Sequence, residues 1–211
     1  MGINLNKTVH ILFFVVLLPA ISLGVGYGFA RLFPDVPFWV ETISPLAAYG
    51  LLYGFFEKHA WHWPIFRVLG IVAAPDLRGR WLGEQISSFK DANGKHRKSR
   101  VIMEVEQTFS AIKVHTYYKN WNTTHSLSSF ITIEDECTLF VMFETVPRVH
   151  YEGEASAHKG VIRLAQLPDK RLTGTYFNAE GRSGELNFKR TRYTLHKTFE
   201  SIGKPPHTRN V

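Results

Sequence analysis

A single cysteine, Cys137, is present among 211 residues. That excludes an intramolecular disulfide framework and fits a reducing compartment. The turn before it, Glu134-Asp135-Glu136, raises rather than lowers a thiol pKa, so Cys137 is not expected to be an activated nucleophile. No Gly-x-Ser-x-Gly, Walker loop or His-Glu-x-x-His pattern occurs. His59 and His62 lie one helical turn apart but have no third ligand nearby, so no metal site is assigned to them. The chain is accordingly not expected to be an enzyme, nor to carry a cofactor. Acidic residues are scarce too, 18 against 25 basic ones, leaving a net charge of +7. This points to an anionic partner: phospholipid, nucleic acid or a phosphorylated small molecule.

What is present begins with two apolar stretches. Val9 to Phe33 is uncharged until Arg31. It is long enough for a bilayer core of about 30 Å, which needs about 20 apolar residues as helix. Phe38 to Phe56 is weaker, with Glu41 near its start and Pro45 inside. Residues 1–57 therefore read as a transmembrane hairpin with helices over about 9–31 and 38–56. The first run is too long for the apolar region of a signal peptide, and a second run follows it. Lys7 precedes the hairpin, and Lys58, Arg67, Arg78 and Arg80 follow it, which puts both termini and the rest of the chain in the cytosol. Gly24 and Gly28, and Gly50 and Gly54, form Gly-x-x-x-Gly spacings that suit close packing of the two helices. Residues 58–76 form an aromatic connector whose Trp61, Trp63 and Phe66 suit the interfacial belt.

From Leu77 to Tyr193 no helical periodicity is sustained, and short period-two runs alternate with turn residues. Eight strands are predicted: 78–88, 99–108, 110–119, 124–133, 137–145, 151–167, 171–178 and 184–192. The sixth is long and expected to bend near Ala157 to Gly160. Eight strands with short connections predict an antiparallel up-and-down β-barrel, whose closure removes exposed edges. The Gly79-Arg80-Trp81 opening resembles the lipocalin and fatty-acid-binding-protein pattern, in which the tryptophan plugs the base under an arginine of the last strand. Trp81, with Arg190 or Arg192, would take those parts. Residues 194–211 form a basic tail expected to touch anionic headgroups.

A meander sorts its turns between two ends. The end away from Trp81 receives basic and aromatic loops carrying Trp121, Arg148 and Arg182, with Tyr151 at a strand end. The other end is net acidic. Along the inner faces, Thr116, Tyr118, Tyr176 and Asn178 approach the basic rim, above an apolar lower half, whereas Gln107 lies near the base. This predicts a pocket for a small amphipathic anion, lined by Thr116, Tyr118, Trp121, Arg148, Tyr151, Tyr176, Asn178 and Arg182. A filled core, with Tyr118 and Tyr176 bonding each other or the backbone, is the competing outcome.

Two N-terminal helices, an aromatic connector and a barrel opening on Pro75-Asp-Leu-Arg-Gly-Arg-Trp-Leu-Gly-Glu84 resemble a bacterial anti-phage family. It is the two-transmembrane, β-strand-rich effector family of cyclic-oligonucleotide-based signalling (CBASS) systems, CD-NTase-associated protein 15. The resemblance implies an inner-membrane effector whose cytoplasmic barrel binds a cyclic dinucleotide. Oligomerisation of the chain and breaching of the membrane by its helices would follow, giving abortive infection. The alternative is a membrane-anchored, lipocalin-like carrier of lipid or fatty acid, with a dry apolar cavity and no need for rim arginines.

Overall fold

The computed structural model describes residues 9, 11–33, 35, 38–90, 93–118, 123–133, 136–146 and 158–195. They fall into two units, Met1–Asp76 with Thr108–Ser110, and Leu77–Gln107 with Ala111–Val211.

In the first unit, helix α1 spans Leu12–Leu32, with π-helical geometry over Leu12–Leu17. It is the one helix among the described residues long and apolar enough to cross a membrane. Helix α2 spans Phe38–Phe55, with Pro45 inside, and continues as a π-helical turn over Phe56–Ala60. The close approach expected at Gly24, Gly28, Gly50 and Gly54 falls elsewhere, since a Cβ at any of them would meet nothing within 4 Å. Gly26 takes that place, where a Cβ would come within 2.8 Å of the Pro45 ring. Pro45 cannot donate an intrahelical bond, and its ring fills the notch that a glycine opposite leaves.

The connector departs from the interfacial expectation at Trp61, which is fully buried. Pro64 opens a short helix α3, Pro64–Val68, after which the Ile71 and Val72 amides return to the Phe66 carbonyl at 2.9 and 3.1 Å. The chain thus doubles back, closing a small core of Phe13, Phe56, Ala60, Trp61, Ile71 and Val72. Trp63 is 45% exposed.

The second unit is a closed antiparallel barrel with neighbours in sequence order and β8 pairing back to β1. Its strands are β1 Gly79–Lys90, β2 His96–Gln107, β3 Ile112–Tyr118, β4 Thr123–Ile133, β5 Cys137–Val146, β6 Lys159–Gln166, β7 Leu172–Asn178 and β8 Ser183–Arg192. β2 starts earlier than its alternation suggested, so His96, Arg97 and Lys98 belong to a strand rather than a loop. The early part of the expected sixth strand, 151–157, lies outside the described residues.

Alternate residues of every strand point inward and make one core of Trp81, Val101, Met103, Val105, Val114, Leu139, Leu164, Leu172, Leu186, Phe188 and their neighbours. Four inward positions, Gly83, Gly160, Gly174 and Gly184, have no room for a Cβ. At Gly160 and Gly184 the obstructing groups include the Phe143 and Tyr176 rings, which lie against bare backbone. At the base, the Trp81 indole donates to the Leu77 carbonyl at 2.9 Å, and the Arg190 guanidinium lies 4.6 Å above its ring. Gln107 accepts from the Leu77 amide at 2.8 Å.

Among the described residues, a buried ion pair sits on outward-facing positions: Arg80 Nη1 to Glu104 at 2.5 Å, both side chains 1% exposed. Beside it, burial and then the Glu104 charge push the Tyr117 phenol up to about 12.

Candidate ligand site inside the barrel

Period-two alternation and the cross-strand register together define a polar row on the inner wall. Thr116 of β3 lies opposite Thr124 of β4, which lies opposite Thr145 of β5. These threonines are 2%, 2% and 3% exposed. Thr116 and Thr124 share a hydroxyl hydrogen bond. Thr145 Oγ1 is paired with His158 Nε2 at 3.2 Å, and its amide donates to the His158 carbonyl at 2.8 Å. His158 Nδ1 lies 3.8 Å from Glu180, whose other oxygen is 3.5 Å from Arg182 Nε. A chain of polar groups therefore runs from the interior of β3 to the β7–β8 turn.

The remaining wall is aromatic and amide-bearing. Tyr176 is buried on β7, and Tyr118 packs against the same core from β3. Burial, and secondarily the neighbouring Tyr176, push the Tyr118 phenol well above its ordinary value, so it remains a neutral donor at physiological pH. Gln85 Oε1 and Ser129 Oγ are buried without a hydrogen-bond partner among the described residues. Such orphaned atoms each carry a desolvation cost of about 1–3 kcal/mol, which a bound partner group would relieve.

Of the residues expected at the site, Thr116, Tyr118 and Tyr176 share the interior. Asn178 instead serves its turn: Oδ1 accepts from the Arg182 amide at 2.9 Å, and Gly181 at φ 74° completes the reversal. Its side-chain acceptor is thereby committed to the backbone. Arg182 is 58% exposed on that turn, held toward Glu180. Trp121, Arg148 and Tyr151 lie outside the described residues. Thr124, Thr145, His158, Gln85 and Ser129 were missed by sequence reading. Counting inward positions across neighbouring strands could have found Thr124 and Thr145, but the bulge between Ser126 and Ser128 shifts the register that leads to Ser129. Among the described residues, no group of three or more His, Cys, Asp or Glu could hold a metal.

Chemically, the interior offers neutral donors and acceptors together with aromatic faces. Those groups recognise planar heterocycles by edge and face, while a rim cation such as Arg182 suits a phosphate. A long aliphatic chain would leave both orphaned atoms, Gln85 Oε1 and Ser129 Oγ, unsatisfied.

No curated protein matches the chain. A family model described as "Cap15, cyclic dinucleotide receptor domain" matches residues 72–190, more than half of the sequence. The match takes in the Pro75–Glu84 opening and ends on Arg190, the residue above Trp81. By that match the chain belongs to the Cap15 cyclic dinucleotide receptor domain family of CBASS systems.

Proposed function

We propose that the barrel takes a cyclic dinucleotide into its interior and that the chain is the membrane-anchored effector of a CBASS anti-phage response. The observation carrying this reading is the buried Thr116–Thr124–Thr145 row, with Gln85 and Ser129, inside a receptor domain of this family. Bases would be held by the hydroxyls, the Gln85 carbonyl and the tyrosine faces, and phosphates by rim cations including Arg182. Helices α1 and α2 would both span the inner membrane, with the barrel in the cytoplasm. Occupied chains would assemble, and their helices would then disrupt the bilayer. The ligand must bind the assembled state better than the resting one, since equal affinity for both shifts nothing.

The test is calorimetry of the full chain in detergent against a panel of cyclic dinucleotides. Saturable heat with one member is expected, and Thr124→Val with Thr145→Val should weaken it about tenfold or more, the loss expected when buried hydrogen bonds to a ligand go unmade. No heat with any member at high concentration would overturn the reading.

A further inference from the structure

The π-helical turn that ends α2 places Glu57 against the tip of the β2–β3 hairpin. Glu57 Oε1 accepts three hydrogen bonds from that tip: Thr108 Oγ1 at 2.6 Å, Ser110 Oγ at 2.7 Å and the Ser110 amide at 3.1 Å. The Glu57 carbonyl accepts a fourth, from the Phe109 amide at 3.1 Å. Between these bonds the Phe109 ring packs 5.1 Å from Phe56 and 5.5 Å from Phe14. Phe56 in turn lies 5.3 Å from Phe13 and 5.0 Å from Phe66. Three residues of a strand connection are thus fastened to one helical residue and its aromatic neighbours, and they group with the helical residues rather than with the barrel.

The strand that leaves this clasp is β3. It is joined to β2 by seven residue pairs but to β4 by three, among the described residues. Below those three, the Val114 amide donates to the Ser126 hydroxyl at 3.0 Å. So β3 is the least firmly laddered strand on one side, it carries Thr116 and Tyr118 inward, and its starting end is tied to Glu57. A rigid strand moved at one end carries the displacement to the other, because its backbone is already extended.

We propose that Glu57 is a positioning residue that relays ligand contact on β3 to the end of α2. This rests on the reading that the barrel interior takes the cyclic dinucleotide. Contact at Thr116 and Tyr118 draws β3, the Thr108–Ser110 tip follows, and the clasp passes the movement to the α2 end through Glu57 and Phe109. A carboxylate suits the task because a single oxygen can accept several hydrogen bonds at once.

The test uses the full chain in lipid vesicles with three variants: Glu57→Ala, Glu57→Gln and the pair Thr108→Val with Ser110→Ala. Three quantities are read: cyclic dinucleotide affinity, ligand-dependent dye release, and amide hydrogen exchange without ligand. Glu57→Ala should bind within about threefold of the parent yet release dye at least about tenfold less, while Glu57→Gln, which keeps an acceptor, retains most of the release. The Thr108/Ser110 pair should behave like Glu57→Ala, and it carries the test if that variant does not fold. Parental release from Glu57→Ala, or binding and release falling together by one factor, would overturn the relay. Without ligand, Glu57→Ala should raise exchange at Phe109 and Ser110, along Ile112–Tyr118 and at Phe56–Ala60 together. Exchange raised at the tip alone, or nowhere, overturns the coupling. If the parent binds no cyclic dinucleotide, the receptor reading falls and the exchange arm still decides the clasp.

Discussion

At the residue scale, the proposed function makes Gln85 the residue at which stability and recognition should separate. Its Oε1 is buried without a partner, so Gln85→Leu should leave the ligand-free chain as stable as the parent, or more stable by up to about 1 kcal/mol. Affinity for the cyclic dinucleotide should fall about tenfold, the worth of one buried hydrogen bond of about 1.4 kcal/mol. Thermal denaturation and calorimetry on one preparation check both halves, and a marked loss of stability would mean that the carbonyl is already engaged. Cys137 gives a second prediction. Burial first, then Glu136, pushes its thiol up to about 11. Alkylation of the native chain at about pH 8 should therefore be much slower than that of the denatured chain, because thiolate is the reacting species. The raised pKa also gives a stability window. The contribution is fully present below the unfolded thiol's pKa and is lost as pH rises through about 11. Tyr117, pushed up to about 12, adds a loss with the same sign at still higher pH. The acidic turn before Cys137 was visible in the sequence; the larger contribution, burial, depended on the strand's register.

At the element scale, two pairings hold strands to their neighbours. Trp81 lies on β1 directly opposite Arg190 on β8, at the seam that closes the barrel. Trp81→Ala should cost about 3–5 kcal/mol, a large part of a typical domain's stability, and chemical denaturation would register it as a lower midpoint. Arg190→Gln, which removes the cation over Trp81 and its hydrogen bond to the Tyr193 hydroxyl, should cost less, about 1–3 kcal/mol. Arg80→Met removes the buried cation that faces Glu104 and should cost about 3–5 kcal/mol, whereas replacing both partners with apolar residues should recover most of it. Strand order, closure and the Trp81 base were legible because period-two alternation survives in a single sequence. The Thr116–Thr124–Thr145 row was only partly legible, since it exists through pairing across strands and not along any one of them. Glu57 and Thr108 are 51 residues apart, and no local pattern links them. Trp61 misled for a related reason: an aromatic connector reads as interfacial until the reversal after α3 is known.

At the scale of the whole molecule, α1 is the one helix among the described residues long and apolar enough to cross a membrane. Leu17, 50% exposed on α1, should face acyl chains. Leu17→Arg adds about 2.5–3.5 kcal/mol to insertion and should move a large share of the protein from the carbonate-washed membrane fraction to the supernatant. Unchanged retention would mean that α1 does not lie in the membrane. The barrel, for its part, has two unequal inner walls. On β6, β7, β8 and β1 the backbone itself is the wall at Gly160, Gly174, Gly184 and Gly83, and no side chain can be added there without displacing an aromatic ring or a neighbouring strand. On β3, β4 and β5 the wall carries the hydroxyls of Thr116, Thr124 and Thr145 beside apolar core residues such as Val114, Leu139 and Val141, and those hydroxyls can be exchanged one at a time. With the ligand in the interior as proposed, changes in its preference would come through β3, β4 and β5. A redesign for a different pair of bases should start at Thr116, Thr124 and Thr145 and treat the glycine side as the fixed jaw of an adjustable spanner.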